Sequence, residues 1–146
     1  MKITLSIDSK ESIEIGHSDL ASIVGWLDDE VRYALFFSRL ANHPASEVRS
    51  AVAGKTTLQM DALEILVNDA SIEVVRQVAN NERALMLFEL SAIQEMIRRD
   101  VSVAADIADN LYMVRNDVRE GVIQTLLQHA DPKVVETAES FEFEQE

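Results

Sequence analysis

The residue types that carry catalysis or bind metals are few and scattered in this sequence. Its three histidines, His17, His43 and His129, include no pair at metal-ligand spacing. The chain has no cysteine, which excludes a thiolate nucleophile, a disulfide and any cysteine-based metal site. Each histidine lies in a segment that reads as a loop or a helix end. We therefore expect the histidines to be solvated residues rather than ligands.

Carboxylate pairs, which general acid–base chemistry would need, do occur in the chain. Asp28–Asp29 and Asp106–Asp109 lie close in sequence, but 26 acidic residues make such pairs expected from composition alone. The four glycines are scattered singly, so no phosphate-binding loop can be placed. No serine lies in a nucleophile-elbow sequence. The sequence predicts that the protein is not an enzyme and uses no cofactor or metal.

Net charge is the most unusual bulk property of the chain. Twenty-six acidic residues against 13 basic ones give a formal charge of −13. Such a field repels phosphate backbones and anionic membranes, and it attracts basic surfaces. We expect a protein partner of basic character, without direct nucleic-acid or membrane binding. A second interpretation, that the acidity only keeps the protein soluble, stays open.

Length and composition are typical of one globular domain spanning residues 1–146, with 47% hydrophobic and 27% charged residues. No apolar run reaches the roughly 18 residues that a membrane-spanning helix needs. The opening MKITLSIDSK lacks the apolar stretch and cleavage site of a secretory signal. The simplest expectation is a cytoplasmic protein.

Two sets of regularly spaced apolar residues indicate the helices that position the polar ones. The first set consists of triplets at i, i+3 and i+4 that recur every 30 residues: Tyr33/Phe36/Phe37, Leu63/Leu66/Val67, Ile93/Met96/Ile97 and Ile123/Leu126/Leu127. The second set lies between them: Val48/Val52/Ala53, Val74/Val78/Ala79, Val103/Ile107/Ala108 and Val134/Ala138. Because a two-helix unit cannot bury its apolar face alone, the units must stack on one another.

The spacing predicts short helices alternating with longer ones. The short helices are expected near 46–54, 71–80, 101–110 and 131–139, and the longer ones near 28–41, 57–68, 85–99 and 115–129. Polar residues at the starts of the short helices could accept hydrogen bonds from first-turn amides: Ser46, Ser71, Asp100 and Asp131.

The two ends of the chain depart from the helical pattern. Alternating apolar residues within 1–16 predict a β-hairpin that caps the stack, or an exposed edge that accepts a partner strand. Helices should occupy 18–139, beginning with Leu20–Leu27, in which Trp26 packs on its neighbour. The segment 140–146 is an acidic tail whose Phe141 and Phe143 pack on the last helix or dock into a partner.

Four segments of the chain, DDEVRYALFFSRL, HPASEVRSAVAG, NDASIEVVRQVA and ADPKVVETA, resemble the HEAT-like repeat and its relative, the leucine-rich-repeat variant. The resemblance covers roughly residues 18–139. It is weaker in VSVAADIA, which lacks the arginine, and at Glu136, where a basic residue is expected. The resemblance implies an all-α fold, a short right-handed α-solenoid of about four helical pairs. It also implies a binding role, and it carries over no catalytic residues.

The arginines of these segments allow two interpretations. The first is structural, with ion pairs between neighbouring units such as Arg49 with Asp69 and Arg76 with Asp100. The second is an anion-binding stripe along one face, formed by Arg32, Arg49, Arg76 and Arg119.

The functional hypothesis is a non-enzymatic protein–protein interaction module that binds a basic partner along the short helices. The alternative is an inhibitor or immunity-type protein that imitates nucleic acid with ordered carboxylates. Oligomeric state is left open by the sequence. The candidate partner-binding residues are the exposed positions expected on the short helices: Glu47, Ser50, Glu73, Gln77, Ala105, Asp106 and Asp109.

Overall fold

The computed structural model describes residues 1–144, which form ten α-helices and one two-stranded antiparallel sheet. The strands are β1 (Thr4–Ile7) and β2 (Glu11–Glu14). The helices are α1 (His17–Trp26), α2 (Ala34–Leu40), α3 (Ser46–Ala53), α4 (Met60–Val67), α5 (Ile72–Ala79), α6 (Glu82–Leu87), α7 (Leu90–Arg99), α8 (Val101–Asp109), α9 (Asn116–Leu127) and α10 (Pro132–Glu144). Two short 3-10 turns occupy Val31–Tyr33 and Leu111–Met113.

The helices pack in the order of the chain. One row runs through α1, α3, α5, α8 and α10, each of which contacts the next. We call this row the first row. The other helices lie against it, with α4 contacting α2, α3 and α5, and α7 contacting α5, α8 and α9. The expectation of a mostly helical protein with a small β-hairpin is confirmed.

The core consists of the residues that the apolar spacing selects. Every member of the short-helix set is buried, including Val134 and Ala138 of α10. In the 30-residue set, Leu66, Met96 and Leu126 have no exposed surface. Three members of that set are only half-buried, and they pack at the margin of the core: Tyr33, Phe36 and Leu127. The predicted helix faces are therefore the buried faces.

Two of the predicted long helices differ in extent. The helix expected near 85–99 is divided, because Phe88 and Glu89 have extended backbone between α6 and α7. It also begins earlier, since the Asn81 side chain accepts a hydrogen bond from the Ala84 amide at 3.3 Å. The helix expected near 28–41 begins later, because Asp29 bonds the backbone amides and hydroxyls of the neighbouring loop 56–57.

The hairpin is present, but its strands do not cover the helices. Strand β1 pairs with β2 from Thr4 opposite Glu14 to Ile7 opposite Glu11. The described side chains of both strands are exposed, and only the flanking Ile3 and Ile15 pack against the core. The expected cap is thus limited to the base of the hairpin.

The expectation that Trp26 packs on a neighbouring helix is wrong. Leu20 and Val24 are the buried residues of α1, and Leu27 is the next position on their face. Trp26 lies on the opposite side of the helix and is 86% exposed. At the other end of the chain, α10 extends past the predicted boundary at 139 as far as Glu144. Residues 145–146 of the predicted tail lie outside the described part.

Candidate functional site

A groove between α3 and α5 brings together four of the seven predicted binding residues. Its volume is about 470 Å³, and it opens on the surface of the first row. Glu47 and Ser50 line it from α3, and Glu73 and Gln77 line it from α5. The full lining is Ser46, Glu47, Ser50, Ala51, Ser71, Glu73 and Gln77. We call this depression the α3–α5 groove.

The two glutamates of the α3–α5 groove remain largely accessible. The Glu47 side chain is 60% exposed and has one carboxylate oxygen 3.4 Å from Nε2 of His17. The Glu73 side chain is 61% exposed and has one carboxylate oxygen 3.8 Å from a guanidinium nitrogen of Arg76. Exposed contacts of this kind contribute little to stability. Both carboxylates are therefore free to exchange these neighbours for a basic group on a partner.

Three lining residues of the groove are absent from the predicted set: Ser46, Ala51 and Ser71. Ser46 and Ser71 were expected to cap helices, but neither makes a side-chain cap hydrogen bond. The Asp69 carboxylate instead accepts a hydrogen bond from the backbone amide of Ser71 at 2.8 Å. The available signal was the position of Ser46 next to Glu47 and of Ser71 two residues before Glu73, at the starts of two helices that contact each other.

The expected cap at Asp100 is confirmed, with its carboxylate accepting from the Ser102 amide at 2.8 Å. The Ser102 hydroxyl also donates to this carboxylate, and the two bonds from Ser102 lower the pKa of Asp100. Asp131 likewise accepts from the Lys133 amide at 2.9 Å. Short acceptor side chains at helix starts satisfy amides that have no partner within the helix.

The predicted ion pair between Arg49 and Asp69 is confirmed, and the one between Arg76 and Asp100 is wrong. Arg76 instead donates two hydrogen bonds to Asp106, at 2.8 and 3.2 Å. The side chain of Asp106 is only 15% exposed as a result. Asp106 is consequently a partner of Arg76 in the packing of α5 on α8, not a freely exposed groove residue.

The other two predicted binding residues also lie outside the groove. Asp109 lines a separate depression of about 200 Å³ between α8 and α10, together with Thr137, Ser140 and Phe141. Ala105 is half-buried and packs against the core. The structure therefore divides the predicted continuous surface into an α3–α5 part and an α8–α10 part.

The arginines expected to form an anion-binding stripe are engaged within the chain. Arg49 donates to the backbone carbonyls of His43 and Pro44 as well as to Asp69. Arg119 donates to the carbonyls of Tyr112 and Val114. Arg76 bonds Asp106, and Arg32 bonds Glu30 at 2.8 Å. This engagement favours the structural interpretation of the arginines.

Other basic side chains hold neighbouring units together through backbone carbonyls. Arg99 donates to the carbonyls of Val67 and Asp69, and Lys55 donates to the carbonyl of Leu27 at 2.7 Å. These bonds satisfy carbonyl groups at the C-terminal ends of helices, where the helix dipole is negative, and they do not involve exposed carboxylates.

Two of the histidines have structural roles in place of the expected solvation. His43 is buried, and its Nδ1 accepts the Ala45 amide at 3.1 Å. His129 Nδ1 accepts the Asp131 amide at 3.0 Å. Burial lowers the pKa of His43, and the positive charge of Arg49 contributes in the same direction. A neutral ring is needed for the Ala45 bond, because the acceptor is the nitrogen lone pair.

A second depression lies between α7 and α9. Its volume is about 570 Å³, and its lining is mostly uncharged: Gln94, Ile97, Arg98, Gly121, Gln124, Thr125, Gln128, His129 and Ala130. The Gln94 side chain donates across it to the Thr125 hydroxyl at 3.0 Å. Nothing in the sequence pattern pointed to this depression, because its amide side chains do not form a recognisable motif.

Within residues 1–144, no three His, Asp or Glu side chains come together in an arrangement that could hold a metal ion. No helix in the same range is long and apolar enough to cross a membrane. Comparison of the chain with protein-family models, with curated proteins and with solved structures found no match.

Proposed function

We propose that the protein is a non-enzymatic interaction module whose first row of helices binds a basic segment of another protein. The helical pairs are interpreted as a short right-handed α-solenoid of the HEAT-like kind, an architecture that offers an extended binding surface. Support for this architecture comes from the sequential contacts of α1, α3, α5, α8 and α10. Further support comes from side chains that bond the backbone of the preceding unit, such as Asn81 to Ala53 and Lys55.

The α3–α5 groove is the observation on which the proposal rests. It combines two exposed carboxylates with the small or polar side chains of three serines, an alanine and a glutamine. A lysine or arginine from a partner could lie between Glu47 and Glu73 and donate to serine hydroxyls at the groove wall. Arg49 is held by Asp69, and Arg76, which lies 3.8 Å from Glu73, gives its hydrogen bonds to Asp106.

The alternative, an inhibitor that imitates nucleic acid, has less support from the distribution of charge. Such mimicry needs carboxylates ordered on one face at phosphate-like spacing. Exposed carboxylates instead occur on both sides of the helical packing, at Glu47 and Glu73 in the first row and at Glu64 and Glu120 in α4 and α9. Carboxylates spread in this way are expected of charge that keeps a protein soluble, so they give no support to mimicry.

Selection from a random peptide library displayed on phage tests the proposal, and it does not require the partner to be identified first. We expect the full chain to enrich peptides rich in lysine and arginine. Their binding should be lost when Glu47 and Glu73 are both replaced by lysine. A control variant, Glu64→Lys with Glu120→Lys, makes the same change in net charge on other helices and should retain binding. Enrichment of uncharged peptides, or equal loss in both variants, would contradict the proposal.

A further inference from the structure

The outer surface of α2 carries two exposed apolar side chains and an arginine. Val31, Leu35 and Arg39 follow one another at intervals of four residues, so they share one face of the helix and the 3-10 turn before it. Val31 is 82% exposed and Leu35 is 57% exposed. We call these three residues the α2 stripe. Two accessible apolar side chains that lie next to one another can form part of an interaction surface.

The charge of this segment is opposite to that of the whole chain. Residues 31–46 contain Arg32 and Arg39 but no aspartate or glutamate, in a protein with a net charge of −13. Arg32 forms an exposed pair with Glu30. Arg39 forms no ion pair or side-chain hydrogen bond with any side chain that the structure describes in the range 1–144. The α2 stripe is thus apolar along most of its length and basic at one end.

The end of α10 has complementary properties. Phe141 is half-buried and lies against the Arg119 guanidinium, 6.0 Å from its ring centre. Phe141 also packs against the core, whereas Phe143, two residues later, is 81% exposed. Residues 139–146 contain four glutamates and no basic residue. The helix therefore presents an aromatic ring within a strongly acidic segment.

We propose that the Phe143 end of one copy of the protein binds the α2 stripe of a second copy. The ring of Phe143 would pack on Val31 and Leu35, and the exposed Glu139, four residues earlier on the same face of α10, would pair with Arg39. The two surfaces are complementary, because one presents an aromatic ring in an acidic segment and the other presents apolar side chains beside an arginine. This interface is separate from the α3–α5 groove and does not depend on the proposed function.

The contact must form between copies rather than within one. Helix α2 packs on α3 and α4, whereas α10 packs on α8 and α9, so the intervening units separate the two surfaces. One such contact leaves a free α2 stripe on one copy and a free Phe143 end on the other, to which further copies can bind. Repulsion between two copies of charge −13 is screened beyond about 8 Å at physiological ionic strength, which leaves the close contacts attractive.

Sedimentation velocity at about 0.15 M salt, over a concentration series reaching about 1 mM, tests the association. We expect the average mass of the full chain to rise with concentration. Leu35→Asp and Phe143→Asp should each weaken association by about tenfold or more, since each places a carboxylate in an apolar contact. Both positions are exposed, so circular dichroism should show unchanged folding. Met86→Asp, at a side chain that is 52% exposed on α6, is the matched control and should associate like the unaltered chain.

Mixing the two defective variants gives the sharpest result. Leu35→Asp retains an intact Phe143 end, and Phe143→Asp retains an intact α2 stripe. An equimolar mixture should therefore form one-to-one dimers and nothing larger, although each variant alone stays monomeric. An interface between two α2 stripes, or between two Phe143 ends, could not give this pattern, because only one of the two variants would then be defective. A mixture that stays monomeric, an unaltered chain that is monomeric throughout, or undiminished association of Phe143→Asp would each overturn the proposal.

Discussion

Arg49 of α3 and Asp69, just before α5, form a two-pronged ion pair, with Nε 2.6 Å from Oδ2 and Nη2 2.9 Å from Oδ1. The side chain of Asp69 is 5% exposed and that of Arg49 is 17% exposed. Burial by itself would raise the pKa of Asp69. The bonds from Arg49 and from the Ser71 amide outweigh burial, and the pKa lies below its usual value. This pair joins two successive units of the first row.

Replacing Arg49 with alanine should therefore lower the free energy of unfolding by about 3 kcal/mol at pH 7, because a buried carboxylate loses its partner. Asp69 stabilises the fold above its unfolded-state pKa of 3.8, and that contribution is lost as pH falls through the lower folded-state value. The difference between the variant and the unaltered chain should shrink in acid. Urea denaturation between pH 7 and pH 3 measures it, and a difference independent of pH would contradict this role.

Leu66, Met96 and Leu126 occupy equivalent places in the 30-residue spacing, and none has exposed surface. Replacing any one of them with alanine removes buried apolar contacts and leaves a cavity. We expect losses of about 2–5 kcal/mol for each, measured by urea denaturation. A neutral result at one of the three would show that its helix face is rotated relative to the others.

Gly121 of α9 allows close contact with Leu90 of α7. An alanine Cβ at this position would lie 2.6 Å from Cδ2 of Leu90. In an unobstructed helix, alanine is more stable than glycine by about 1 kcal/mol. We expect Gly121→Ala to change the stability of the unaltered chain less favourably than that. In the Leu90→Ala background, where the obstructing side chain is absent, the same substitution should give the full gain. Thermal unfolding of both single variants and the double variant tests this, and additive effects would show that the contact is unimportant.

The spacing of apolar residues was sufficient to predict the buried faces of the helices, because burial follows directly from position around a helix. The partner of Arg76 could not be predicted in this way. Asp100 and Asp106 both lie near the expected place, and spacing along the chain does not show that Asp100 bonds the Ser102 amide while Asp106 bonds Arg76. The break at Phe88–Glu89 was also hidden, since no proline or glycine marks it.

His43 provides a second dependence of stability on pH. Its pKa lies below the ordinary value of 6.5, so the folded protein binds a proton less readily than the unfolded chain does. Stability should therefore fall as pH decreases through 6.5. In His43→Gln, whose amide oxygen can still accept the Ala45 N–H, that part of the decrease should disappear. Unfolding free energies at about pH 8, 6.5 and 5 compare the two proteins, and identical profiles would contradict the assignment.

The association rate of a selected basic peptide, measured by stopped-flow fluorescence, tests the acidic groove most directly. We expect Glu47→Lys with Glu73→Lys to lower this rate constant by about tenfold or more, because electrostatic steering depends on charge near the binding site. Glu64→Lys with Glu120→Lys should lower it much less, and the rate for the unaltered chain should fall steeply with added salt. Equal reductions in the two double variants, or a rate insensitive to salt, would contradict binding in the α3–α5 groove.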